Sequence, residues 1–432
     1  MTLEETRLGK NEEKLLNLFW GSILLFAVGF VLSYNSVLNI KICQGLEALG
    51  CVGMIPALFL CKPKIDSVYL RILFPLYVIW GVVIIARGKT VSLSYDYLKD
   101  FLFADPNNGL IYFAPLILLF PRNFFYYKKI FQVIEISACL FLCFCLIFIK
   151  KLLVRGDDVS SQRVIESIYD LAIPVTMVLL TYAYHSNKRI LLAIICFVLT
   201  LFFSIIRARR GLIVITSCYM MYILIFYFFQ SKIKPAIIYL GILLICGLLA
   251  FSNSFYNMQN NKLVGFLYQR ADEDTRSPVE LLFYEDMKQN DWIVGRGIDG
   301  SYFAPDIQED QPTNYRDGIE TGYLQVILKG GIISLALLLL ITAPAVILGI
   351  FFSKNILSKA AAVWILQFMI NLYPQDAVGF TFGYLLVWVS VGICYSKYVR
   401  SLSNSEVRYL LRDYQATAVE KNKKKRQTAV AH

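Results

Sequence analysis

Histidine is almost missing from this sequence: His185 and His432 are the only two. Both fall in segments expected on the cytoplasmic side, which excludes histidine-dependent catalysis or a histidine metal site on the opposite face. Charge is scarce as well, with Asp, Glu, Lys and Arg at 17% against 57% hydrophobic residues. Soluble globules use about 45–50% apolar residues, so a chain this poor in polar surface must face lipid. The ten cysteines, from Cys43 to Cys394, all lie in apolar runs and repeat no spacing. That excludes a disulfide framework or a metal clip and leaves them as small apolar fillers. An internal repeat, a low-complexity tract and a cleavable signal peptide are absent too, since the mixed-charge stretch Met1 to Lys14 leads straight into a full-length apolar run. No feature points to a nucleic-acid partner or a cofactor.

What is present is a series of apolar runs matched to a hydrocarbon slab about 30 Å thick. Runs bounded by charge or turn residues fall at 15–34, 42–61, 68–87, 109–121, 130–149, 168–186, 190–206, 211–229, 235–252, 322–352, 360–373 and 378–396. They predict an all-α, polytopic membrane helix bundle of about 12 transmembrane helices with a long loop between spans 9 and 10. The runs 109–121 and 360–373 are short, which suits tilted or re-entrant segments, and 322–352 is long enough to protrude.

Charge sets the expected orientation. From Lys397 to His432 nine Lys or Arg face three acidic residues, and a basic tail after a last span is cytoplasmic by the positive-inside rule. The basic run Lys423 to Arg426 reads as a solvated topology signal, with anionic membrane lipids as its sharper alternative partner. With both termini inside, the connections at Lys62 to Arg71, Arg122 to Lys129, His185 to Arg189, Lys232 to Lys234 and Lys354 to Lys359 all carry positive charge on the cytoplasmic side. The polar stretch 252–320, with six basic and thirteen acidic residues, then lies outside. The organisation is a cytoplasmic segment 1–14, spans in 15–252, an outside loop 253–320, spans in 321–396 and a cytoplasmic tail 397–432.

One outside turn breaks the rule: Arg207, Arg209, Arg210 and Gly211 crowd three arginines between two spans. At a helix start, free N–H groups and the positive dipole end add to the guanidinium charge. Arg207 and Arg210, three apart, are expected on one helical face, where the planar fork suits phosphate oxygens taken in pairs. Snorkelling to headgroups or fixing the helix ends is the plainer alternative.

The loop adds Arg270, Asp272 and Arg276, an apolar and aromatic run from Val279 to Tyr284, and Asp291-Trp292. It is expected to form a small cap over a cavity, its arginines either free for a ligand or paired with neighbouring carboxylates. Gly295-Arg296-Gly297-Ile298-Asp299-Gly300 matches the dinucleotide fingerprint in form, but no crossover unit surrounds it and no helix follows. A tight turn beneath the membrane surface is the expectation instead. Glu320 stands at the start of the long apolar segment, as a helix cap or as a general base for a sugar hydroxyl. Lys329, just before the apolar core that opens at Ile332, is expected to snorkel and to be dispensable.

An Arg-Arg-Gly at an outside helix start, a long loop with two spaced arginines, a Gly-x-Gly turn, and a polar start followed by Tyr323-Leu324-Gln325 and Gly330-Gly331 together resemble the bacterial O-antigen polymerase and ligase superfamily. The resemblance covers roughly residues 200–345, and the earlier spans only by count and topology. It implies an inner-membrane glycosyltransferase working at the periplasmic face on undecaprenyl-diphosphate-linked oligosaccharides as donor and acceptor, with no metal or other cofactor and with a chain-length regulator protein as a possible partner. It implies catalytic roles for Glu320, Arg210 and Arg276, and diphosphate binding by Arg207, Arg209, Arg210, Arg270 and Arg276. Tyr323, Asp272 and Arg296 are the expected acceptor or sugar contacts. Where ligases of that family carry a histidine, this chain has Glu320, which favours the polymerase branch over the ligase. A flippase or secondary transporter is the non-enzyme alternative, and it predicts repeated halves, interrupted helices and midplane charge, none of them evident in the sequence.

Overall fold

In the computed structural model of this chain the described residues are 10–62, 65–88, 95–103, 108–121, 123–153, 159–207, 209–230, 276–305, 314–375 and 379–411. The expected span 235–252, together with Arg270 and Asp272, lies outside them.

Among the described residues, seven helices are long and apolar enough to cross a membrane: α1 (Lys10–Tyr34), α2 (Ile40–Met54) with its 3-10 continuation Ile55–Leu60, α3 (Val68–Ala86), α5 (Phe124–Ile147), α9 (Asn187–Ile206), α10 (Arg210–Gln230) and α13 (Gly322–Phe351). Shorter apolar helices are α14 (Ile356–Asn371), α15 (Phe382–Tyr395) and a 3-10 segment across Gly109–Leu119. α4 (Tyr95–Phe103), α6 (Ile149–Leu153), α7 (Val159–Ala172) and α8 (Val175–Leu180) complete the first half. In the loop, α11 (Ser277–Asp286) and α12 (Gln289–Val294) precede a short antiparallel pair, β1 (Tyr302–Phe303) and β2 (Tyr315–Arg316), in which Tyr302 faces Arg316. The chain is a polytopic helical membrane bundle.

Small residues let the first hairpin close. A Cβ at Gly29 would come within 2.8 Å of Glu47 Cγ, one at Gly50 within 2.9 Å of Phe26, and one at Gly53 within 2.2 Å of Ser22 Oγ. The pairs 29–47, 26–50 and 22–53 fix α1 and α2 as antiparallel and nearly touching, the small-residue packing that lipid-embedded helices use in place of a hydrophobic driving force. The core then runs through Trp20, Phe124, Phe141 and Trp388, with edge-on ring contacts such as Trp20 to Phe382 at 5.6 Å.

Two interruptions alter the expected spans. The 168–186 run is split: α7 ends at Ala172, Pro174 caps α8, and Tyr182–Tyr184 is a 3-10 turn. In α13, Gly331 sits at φ 69°, ψ −176°, which breaks one helix into two. The piece from Ile332 to Phe351 is about 30 Å long at 1.5 Å per residue, a full crossing. The expected protrusion is therefore a separate short helix, Gly322 to Gly330, set at an angle by the kink. Interrupted helices, which the sequence did not reveal, are part of this fold.

Candidate functional site at the loop end of the bundle

The end of α1, the start of α2, the end of α3, the α9–α10 turn and the starts of α13 and α15 gather at one end of the bundle, where the loop also docks. Asn35 Nδ2 donates to Ser167 Oγ at 2.7 Å, and Gly322 N donates to Gln375 O at 3.2 Å. The loop has a small core of its own, with Phe283 and Tyr302 fully buried, but it shares that core with Leu324, Ile327 and Leu328 of α13. Tyr284 stacks on Trp292 with centroids 5.7 Å apart and planes 11° from parallel. The described part of the loop is a cap continuous with the membrane helix rather than a free-standing domain.

The Gly-Arg-Gly turn wedges into the break of α13. Arg296 N donates to Leu328 O at 2.8 Å and Gly297 N to Lys329 O at 3.0 Å, capping carbonyls where the Gly331 kink interrupts the helical ladder. Trp80 Nε1 on α3 donates to Gly330 O at 2.9 Å, and Ile298 N to Ile84 O at 3.1 Å. Arg87, at the C-terminus of α3, donates to the Val294 carbonyl and, at 2.8 Å, to Gly295 O. Irregular backbone at membrane depth is tolerated only where such partners are supplied. The approach is close enough that a Cβ at Gly331 would stand 2.1 Å from Ile293 O, and one at Gly295 2.5 Å from Gly330 N. Asp299 Oδ2 is buried here with no hydrogen-bond partner among the described residues.

Two expectations change at this wedge. Lys329 does not snorkel: it is 4% exposed and its Nζ donates to Gly300 O at 2.9 Å, tying the wedge to the kink. Arg296, expected to touch sugar, has all five N–H groups engaged within the protein. Its Nε and one terminal nitrogen donate to Asp291 Oδ2 at 2.9 and 2.8 Å; the others reach Asp286 Oδ2, Asp286 O and, at 2.7 Å, Ser301 O. Burial opposes its charge, but the bonds and charges of Asp286 and Asp291 outweigh burial and hold its pKa above the ordinary value. These bonds brace the turn from within the protein.

Arg276 and Glu320, expected to share a site, do meet. Arg276 Nε lies 3.5 Å from Glu320 Oε2, with the two side chains 40% and 66% exposed. Arg276 also donates to the Pro374 carbonyl, and that same oxygen lies 3.9 Å from where a Cβ on Gly211 would sit. The turn after α14 therefore joins the loop's arginine to the start of α10. Glu280 reaches the same place, accepting from Thr321 Oγ1, the residue that caps α13. Tyr323, at the head of α13, is held by its backbone N–H on Leu372 O at 3.0 Å.

The three clustered arginines separate. Arg207 is 5% exposed and caps the C-terminus of α9, where a cation suits the dipole. Arg209 pairs with Glu166 of α7 at 2.9 Å. Arg210 opens α10 and is exposed. Because α9 ends at Ile206 and α10 begins at Arg210, Arg207 and Arg210 stand at the ends of two helices and share no helical face, contrary to their spacing. Trp80 had no motif to announce it, Arg87 carried only the signal of a cation at the end of an apolar run, and Asp299 stood within the Gly295 to Gly300 match without a role of its own.

Comparison with protein-family models, with curated proteins and with solved structures finds no match. The class that fold and site define is a multi-pass helical membrane protein with a polar, charged cap interlocked into a broken helix.

Proposed function

We propose that this protein is an oligosaccharide repeat-unit polymerase that joins undecaprenyl-diphosphate-linked saccharide units at the periplasmic face of a bacterial inner membrane. The observation that carries the reading is the exposed Arg276–Glu320 pair, set beside the Arg207–Gly211 turn through the Pro374 carbonyl. In the proposed reaction Glu320 takes the proton of an acceptor sugar hydroxyl, whose oxygen bonds the anomeric carbon of a second unit with inversion. The bond from that carbon to the diphosphate breaks, and its electron pair leaves on the diphosphate, which Arg276 and Arg210 stabilise. A diphosphate entering the site competes with Glu320 for Arg276, so donor binding frees the base. No metal or other cofactor is invoked. A chain-length regulator is the protein partner this reading implies.

A lipid-linked saccharide transporter is the second reading, favoured by the interrupted helices at Pro174 and Gly331. Chain length separates the two. Cells carrying Arg276→Ala, Arg210→Ala or Glu320→Gln at verified expression should make surface glycan of single units, with polymerisation down about 100-fold or more for Glu320→Gln. The exposed Lys288→Ala serves as the control with normal chains. Normal long chains from Arg276→Ala and Arg210→Ala together would sink the diphosphate site. A loss of all surface glycan, single units included, would point to transport.

A further inference from the structure

Three side chains of α11 meet three side chains at the entry to α13, and the pairs fall in order along the cap. On α11 they are Arg276, Glu280 and Tyr284, spaced by four and so on one stripe of the helix. Arg276 already belongs to the helical ladder, since its carbonyl accepts from Glu280 N at 2.9 Å. Opposite them, Glu320 pairs with Arg276, Thr321 Oγ1 donates to Glu280, and Tyr323 is in hydrogen-bonding contact with Tyr284. At 1.5 Å per residue the row runs about 12 Å from Arg276 to Tyr284.

The chemistry of the row changes along its length. Arg276 is its one cation, and no Lys or Arg follows from 277 to 284. Glu280 comes next; Thr321 takes one of its acceptor positions, and a carboxylate offers about four. Tyr284 closes the row and is 44% exposed. Trp292 covers one of its faces, with centroids 5.7 Å apart and planes 11° from parallel, and the edge of the fully buried Phe283 lies 5.8 Å from Trp292. The ring is thereby fixed from beneath and open on its other side. The bond from Tyr323 N to Leu372 O brings Tyr373, which is 73% exposed, beside the same end.

We propose that this row is a saccharide track, in which a sugar's hydroxyls bond Glu280 and a sugar ring lies on the open face of Tyr284, with Tyr373 beside it. A ligand anionic throughout its length meets Glu280 where it needs a cation, and a wholly apolar one leaves that carboxylate without donors. A sugar satisfies both ends: its hydroxyls donate to the carboxylate, and its C–H face lies flat on the aromatic ring. Negative charge is matched at the Arg276 end alone. The proposal rests on the polymerase reading for what sits at Arg276. On that reading the track holds the first sugars beyond the diphosphate, and Glu280 and Tyr284 select which repeat unit is accepted.

The test is binding of the full-length protein, in phospholipid nanodiscs, to an array of bacterial surface oligosaccharides with free reducing ends. A subset should be held above empty nanodiscs. Tyr284→Ala should weaken that binding about tenfold or more, while Tyr284→Phe, which keeps the ring and loses the contact with Tyr323, should stay within about twofold. A purely structural role for the Tyr284–Tyr323 contact predicts that the phenylalanine variant fails as well. Glu280→Gln should weaken binding severalfold, because hydroxyls bond a neutral amide less strongly than a carboxylate. Tyr373→Ala should also lose severalfold, and its exposure makes it the deciding variant where Tyr284→Ala does not fold. The same oligosaccharides carrying a diphosphate at the reducing end should bind more tightly than the free ones. Absence of that gain, with the free sugars still held, would sink the diphosphate site and the polymerase reading but leave the track standing. No glycan held above empty nanodiscs, or undiminished binding in both alanine variants, overturns the track itself.

Discussion

Arg296 shows what one residue contributes when every donor is engaged. A guanidinium offers five N–H groups, and here two aspartates and two backbone carbonyls take all five. The cluster is partly shielded, with side-chain exposures of 19% for Arg296, 27% for Asp286 and 24% for Asp291. Removing the cation leaves two carboxylates facing each other without it. Arg296→Met should therefore destabilise the protein by about 2–3 kcal/mol, read as a lower thermal midpoint in detergent. Arg296→Lys should recover only part of that, because an ammonium cannot reproduce the fork. An unchanged midpoint with lost activity would return Arg296 to the role of a sugar contact.

At the scale of elements, the positions of the membrane helices were legible because lipid imposes long apolar runs. The runs read at 15–34, 68–87 and 190–206 lie within two or three residues of α1's apolar part, α3 and α9. Boundaries slipped where charge sits inside a helix: Lys128 and Lys129 suggested a start at 130, yet α5 begins at Phe124, with Tyr126 and Tyr127 buried ahead of the lysines. The kink in α13 was illegible for a different reason. Gly330-Gly331 looks like any small pair until residues 293–297, more than thirty positions earlier, are seen to occupy the break. Arg276 and Glu320 were legible as a pair of loop charges near membrane starts, whereas the separation of Arg207 from Arg210 depended on a turn that spacing alone cannot show. The kink yields its own test. A side chain at φ +69°, ψ −176°, a region that is nearly glycine's alone, costs about 1–3 kcal/mol before any clash, and a Cβ at Gly331 collides with Ile293 O. Gly331→Ala should lower the folded yield sharply and expose the 293–297 wedge to proteolysis, while Trp80→Phe, which removes one donor to Gly330 O, should cost about 1 kcal/mol. Wild-type protease resistance in Gly331→Ala would mean that the wedge does not hold the two helices.

For the whole molecule, the lasting asymmetry is between two ends. One end gathers the cap and the Arg276–Glu320 pair, while the opposite connections carry Arg189, Lys354 and Arg400. Lys and Arg retained on the cytoplasmic side set the orientation of a multi-pass chain, so the cap should be outside and both termini inside. The three arginines at 207–210 run against that rule, but only Arg210 is exposed; burial of Arg207 and the Arg209–Glu166 pair mask part of their charge. Their weight in topology should accordingly be small. Alkaline phosphatase inserted between residues 306 and 310 should be active in bacterial cells, and a fluorescent protein fused after His432 should glow. Adding two lysines to the cap near Tyr315 should leave both signals in place if the cytoplasmic lysines dominate. An inactive phosphatase with a bright fusion would put the cap and the tail on one side of the membrane, and with them the site on the wrong face for a lipid-linked donor presented from outside.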